Sequence, residues 1–158
     1  MLRFFGRSEM VPNKKDLSIM IDYAHSPESL ESILKTVKNY ARGKVITVFG
    51  CGGDRDKLKR PEMGEVSGKI SDFTIITSDN PRTEKPEDIL VDIEEGIKKT
   101  KGKYITIVDR TEAIKHAIGM ASRNDIIVLA GKGHETYQEI NGKKHHYDER
   151  EIVRGLIK

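Results

Sequence analysis

The chain lacks most of what would place it outside a cell or in a membrane. It has one cysteine, Cys51, in 158 residues, so no internal disulfide can form and a reducing cytoplasm is the expected location. No apolar run approaches the ~20 residues needed to cross a bilayer, and the first residues show no secretory signal pattern; no membrane partner is expected. Net charge is also scarce: 28 basic residues against 25 acidic ones leave only +3. The basic residues are scattered along the chain without an aromatic-rich RNA-binding motif. That argues against nucleic acid and leaves anionic small molecules open. There is no internal repeat, low-complexity tract or Pro/Gly/Ser-rich linker. Both familiar phosphate loops are missing, since neither G-x-x-x-x-G-K-[ST] nor G-x-G-x-x-G occurs, and neither route to a bound triphosphate is expected.

What is present is alternation, in a length suited to one compact domain. Short Ile- and Val-rich runs at residues 17–21, Val45–Phe49, Phe73–Ile76, 104–108 and Ile126–Ala130 are expected to be strands buried on both faces. Helical patterns lie between them. Leu30, Ile33, Leu34, Val37 and Ala41 share one face behind Ser26 as N-cap and Pro27 at the first helical position. A second helix is expected from Pro61 to Ile70, weakened by Gly64 and Gly68. A third starts at Pro86, and a fourth follows Thr111. Asn141-Gly142 between two short runs predicts a hairpin, and Asp148 caps a last helix. The expected fold is α/β, Rossmann-like and doubly wound, with a mostly parallel sheet and a C-terminal hairpin as an antiparallel edge. Residues 1–12 are expected to enter from another, central domain, leaving 13–158 as the domain proper.

Each strand is followed by an unusual polar or glycine-rich sequence. These are Asp22-Tyr23-Ala24-His25-Ser26-Pro27, Gly50-Cys51-Gly52-Gly53-Asp54-Arg55-Asp56, Ser78-Asp79-Asn80-Pro81-Arg82, Asp109-Arg110 and Gly131-Lys132-Gly133-His134-Glu135. In a parallel sheet all of them fall on the carboxyl edge, where open α/β sheets bind ligands. The opposite edge offers no comparable cluster. Singly, each has a plainer reading: a glycine turn, an Asx–Pro turn, a charged and capped helical turn at Asp148-Glu149-Arg150-Glu151. Cys51 beside glycines reads as packing, and His134-Glu135 lacks the second histidine of a zinc helix, so no metal site is expected. Together, Asp79, Arg82, Glu135 and Arg55 put both signs of charge at one edge. Arginine's planar fork suits a carboxylate and aspartate suits an ammonium, so a zwitterion such as an amino acid is the expected ligand.

The motifs 22–27, 50–61 (GCGGDRDKLKRP), 79–82 (DNPR) and 131–135 (GKGHE), in this order, resemble the Mur ligase family, and most closely its diaminopimelate-adding branch. The resemblance runs from Gly6-Arg7-Ser8-Glu9 to the Asp148 helix. It implies that Arg55, Asp79, Asn80, Pro81, Arg82, Gly131 and Glu135 bind meso-diaminopimelate, with Arg82 on the distal carboxylate that L-lysine lacks. It implies that Arg7, Asp22, His25 and Lys57 face a nucleotide. It also implies a cytoplasmic, bacterial, monomeric enzyme acting on a UDP-MurNAc-dipeptide, with ATP and Mg2+ bound mainly by a central domain, and no catalytic residue in these 158 positions. Two alternatives stay open: a sibling ligase of the alanine-, tripeptide- or folylpolyglutamate-adding kind, and a non-catalytic amino-acid or nucleotide-binding module.

Overall fold

The computed structural model describes residues 8–157. Five parallel strands form the centre of the molecule: β2 (Ser18–Asp22), β3 (Val45–Phe49), β4 (Phe73–Ile76), β5 (Tyr104–Thr106) and β6 (Ile126–Ala130). A short β1 (Ser8–Met10) pairs antiparallel with β2, and the sheet order is β1-β2-β6-β3-β4-β5. The helices α1 (Pro27–Tyr40), α2 (Lys59–Ile70), α3 (Pro86–Ile97) and α4 (Arg110–Met120) connect successive parallel strands. Then follow the hairpin β7 (Tyr137–Ile140) and β8 (Lys143–His146), and α5 (Glu149–Leu156).

The pleat sorts the apolar residues onto two faces. In β6, Ile126, Val128 and Ala130 join the core under α1, α2 and α3, while Ile127 and Leu129 join the core under α4 and α5. Side chains alternate along a strand, so a strand covered on both faces must be apolar at every position. β3 and β6 are buried throughout. β5 is not: it is the outer edge, half-buried at Tyr104 and Ile105 and exposed at Thr106. It also ends before Val108, whose carbonyl instead accepts from the Thr77 and Ser78 hydroxyls.

Local chemistry explains the helix starts. Ser26 and Ser29 form a reciprocal capping box at α1, with Pro27 in the first turn, and Asp109 and Asp148 accept from the first amides of α4 and α5. Glycines of α2 and α3 serve the contact between the two helices. A Cβ on Gly64 would stand 2.2 Å from the Ile93 carbonyl, and one on Gly96 would stand 1.7 Å from the Pro61 carbonyl. These glycines are the packing surface of the α2–α3 pair, which meet backbone to backbone.

Two further expectations change. The hairpin makes a separate two-stranded sheet, and the antiparallel edge of the main sheet comes from β1. The amino edge is not empty: Lys44, Lys69, Lys99, Lys101 and Lys103 gather around an open cleft there.

Candidate functional site

At the carboxyl edge the loops after β2, β3, β4 and β6 enclose a cavity of about 440 Å³. Seven residues expected at the site line it: His25, Arg55, Asp79, Asn80, Arg82, Gly131 and Glu135. Pro81 is buried behind the rim. Asp22 and Lys57 do not line the cavity. The Asp22 carboxylate accepts from the Ser8 hydroxyl and, at 2.7 Å, from the Ala24 amide, while Lys57 is an exposed partner of Glu84 at 3.8 Å. Arg7 lies outside the described residues.

The glycine loop after β3 and the Asp79–Arg82 segment are built as one piece. The Gly53 amide donates to the Asn80 carbonyl at 2.8 Å, and a Cβ on Gly53 would sit 1.8 Å from the Pro81 carbonyl. Arg60, fully buried, ties this piece to α3. Its guanidinium donates to the Gly52 carbonyl at 3.0 Å, to Glu84 at 2.7 and 3.1 Å, and to Asp92 at 2.9 Å. Arg60 beside it holds the Glu84 carboxyl well below the usual range, at about 2.

The hairpin clamps the same segment from the other side. The Arg82 amide donates to the Glu139 carbonyl at 3.0 Å, and the Asn141 amide donates to the Arg82 carbonyl at 2.8 Å. Gln138 Nε2 donates to the Asp79 carbonyl, and the Glu139 amide donates to Asn80 Oδ1. Held this way, Arg82 adopts a left-handed backbone with φ +53°, costly for a residue with a Cβ. Its Nη1 donates to the Gly53 carbonyl at 3.0 Å, and Nε reaches Glu139 at 3.3 Å. Nη2 has no partner among the described residues.

The Asp79 carboxylate, also lining the cavity, is buried, and its Oδ1 accepts no hydrogen bond, although Lys132 Nζ stands 3.4 Å away. Glu135 accepts from Asn80 Nδ2 at 3.3 Å. The cavity lining thus carries both signs of charge, Asp79 and Glu135 on the one hand and Arg82, Arg55 and Lys59 on the other. Such a division suits a ligand carrying both an ammonium and a carboxylate.

Several lining residues were not singled out from sequence. Tyr23 stands edge-on to His25 at 4.6 Å between ring centroids, and Lys59 Nζ donates to the His25 carbonyl at 3.0 Å. Tyr137 comes from the hairpin. Cys51 also lines the cavity, but burial pushes its thiol up to about 12, far from a nucleophile's range. Arg110, expected at the ligand edge, is instead wholly internal. It pairs with the buried Glu149 at 2.8 Å and donates to the Ser78 and Ala130 carbonyls. The Asp148 turn is therefore more than a capped helix start, because Glu149 locks α5 under the ends of β4 and β6. Among the described residues, no group of three His, Cys, Asp or Glu side chains is arranged to hold a metal, and no helix is long and apolar enough to cross a membrane.

The family model for the Mur ligase, glutamate ligase domain, matches residues 6–133. A UDP-N-acetylmuramoyl-L-alanyl-D-glutamate–2,6-diaminopimelate ligase of Clostridioides difficile is 57% identical over 148 residues, covering 94% of this chain and 31% of the relative. The ligase of the same name from Caldanaerobacter subterraneus is 55% identical, covering 96% and 32%. A solved structure of a ligase with this name superposes with a TM-score of 0.90 at 43% identity, over 99% of this chain and 32% of the other. The folylpolyglutamate synthase of Thermotoga maritima, at 23% identity and a TM-score of 0.58 over 82% of this chain, shares the fold. This chain spans about a third of the length of the curated relatives it matches. It belongs to the Mur ligase family, whose glutamate ligase domain it carries.

Proposed function

We propose that this chain is the amino-acid-binding, C-terminal domain of an ATP-dependent ligase that adds meso-diaminopimelate to UDP-MurNAc-L-Ala-D-Glu in bacterial peptidoglycan synthesis, in the cytoplasm. The observation that carries the reading is a cavity lined by both signs of charge, with an Asp79 oxygen that accepts no hydrogen bond and an Arg82 guanidinium whose Nη2 has no partner among the described residues. Asp79 and Glu135 take the ammonium and Arg82 takes the distal carboxylate, which gives one reason to exclude L-lysine. Arg55, exposed at the rim, adds positive charge for the second carboxylate. The relatives named for this activity support the same assignment.

In the complete ligase, ATP with Mg2+ supplies the activation that turns the D-glutamate carboxylate into an acyl donor. The residues described here hold the amine in line with that carbon and, as the domain closes, exclude water. His25 and Lys57 are exposed and free to face a nucleotide across the closing gap. Asp22 is spent on Ser8 and Ala24, so it acts by fixing the turn that presents Tyr23 and His25.

Calorimetric titration of the chain with meso-diaminopimelate and with L-lysine tests this reading. Binding of meso-diaminopimelate at least ~10-fold tighter is expected, from one charge-assisted contact that lysine cannot make. Equal affinity for the two amines would overturn it. The chain alone should release no phosphate from ATP when meso-diaminopimelate is added.

A further inference from the structure

A lysine ammonium has three protons to place and is almost never fully buried without partners. Lys132 is fully buried, directly beneath the cavity it does not line. Its Nζ donates to Asn80 Oδ1 at 3.0 Å and to the Tyr137 carbonyl at 2.8 Å. It stands 3.4 Å from Asp79 Oδ1 and 3.7 Å from Glu135 Oε1. The rings of Tyr137 and Tyr147 lie 5.9 and 6.0 Å away. These groups belong to four segments: the loop after β4, the loop after β6, the hairpin, and the connection from β8 to α5 that carries Tyr147. From the loop after β6, Lys132 reaches both the loop after β4 and the hairpin.

We propose that Lys132 is a positioning residue for the amino-acid site. It touches no ligand, but it fixes the groups that do. Asn80 Oδ1 is shared between Lys132 Nζ and the Glu139 amide at 2.9 Å, which leaves Asn80 Nδ2 one direction, toward Glu135 at 3.3 Å. The ammonium also places a positive charge between Asp79 and Glu135, two carboxylates that would otherwise repel each other across the place where a ligand ammonium enters. The charge stays dry because the chain buries it, and burial lowers the pKa of Lys132 against the pull of Asp79. An ion pair in that setting is weak evidence of stability. Its place under the rim of the site points to preorganisation of binding groups instead.

The inference rests on the reading of the cavity as a meso-diaminopimelate site, and the test separates the two. In the complete ligase, Lys132→Met keeps the length and bulk of the side chain and removes its charge and donors. Lys132→Gln keeps two donors without the charge and serves if the methionine variant fails to fold. The KM for meso-diaminopimelate should rise about tenfold or more, discrimination against L-lysine should fall with it, and the KM for ATP should stay within about twofold. A purely structural lysine would lower the melting temperature and leave the two KM values in their original ratio. A folded variant with an unmoved KM for meso-diaminopimelate would overturn the role of Lys132 while sparing the functional reading. A wild-type ligase indifferent to meso-diaminopimelate would sink both.

Discussion

Replacing Arg82 with alanine in the complete ligase separates a binding arginine from one that only shapes a turn. The side chain is 17% exposed, and its bonds inside the chain are modest: one to the Gly53 carbonyl at 3.0 Å and a long one to Glu139 at 3.3 Å. Losing them should cost about 1 kcal/mol, a shift of roughly 2–4 °C in melting temperature for a domain of this size. The functional loss should be larger. If Nη2 grips the distal carboxylate, that charge-assisted bond is worth ~1.5–3 kcal/mol, so its loss alone should raise the KM for meso-diaminopimelate about 10- to 100-fold. Preference over L-lysine should drop by a similar factor, and the KM for ATP should move little. The backbone supplies a control. At φ +53° glycine is at ease where alanine is not, so Arg82→Gly should melt higher than Arg82→Ala by about 1 kcal/mol of stability. Both variants should nonetheless show the same kinetic defect. Steady-state kinetics with both amines, beside thermal melts, measure all of this. An unchanged diaminopimelate-to-lysine ratio in a folded variant would refute the assignment.

Three further outcomes are expected. Arg110→Met strands the buried Glu149 carboxylate and should cost ~3–5 kcal/mol by chemical denaturation; adding Glu149→Leu should restore much of it, and no recovery in the double variant would argue against the pair. Glu84 has its carboxyl depressed from 4.5 to about 2 in the folded chain, so its contribution is complete above about 4.5 and lost as pH falls toward 2. The stability gap between wild type and Glu84→Gln should close over that window, and a gap independent of pH would count against the Arg60–Glu84 account. Cys51, with its thiol pushed up to about 12, should resist iodoacetamide at pH 8 until the chain unfolds; rapid labelling of the native chain would contradict its burial.

The parallel architecture was readable because two signals agreed. Unbroken Ile/Val runs marked strands covered on both faces, and capped 3.6-residue patterns marked the helices between them. The carboxyl-edge cluster followed from topology alone, and most of the residues it nominated do meet in one cavity. What escaped depends on distance along the chain. Arg60 looks like a surface residue in a charged sequence and Arg110 like part of the ligand edge; only folding brings Glu84, Asp92 and Glu149 to them. Lys132 sat inside a recognised motif, but its burial depends on the hairpin closing over it. Gly64 and Gly68 read as helix weakeners because propensity has no knowledge of the neighbouring helix. β5 kept a strand's composition at an edge where nothing covers its outer side.

The β7–β8 hairpin stands apart from the main sheet and joins the site largely through its main chain, bonded to the Arg82 backbone, Asn80 Oδ1 and Lys132 Nζ, with the Gln138 and Glu139 side chains adding contacts to Asp79 and Arg82. Main-chain bonds are indifferent to most substitutions. The outer surface of the hairpin is therefore free to drift, and its strands are fully exposed at Lys143–His146. Its inner edge sets how Arg82 and Asn80 are presented. A graft of residues 137–146 from a ligase with another amine preference would exchange ten residues without touching either hydrophobic core, and would change how Arg82 and Asn80 are held.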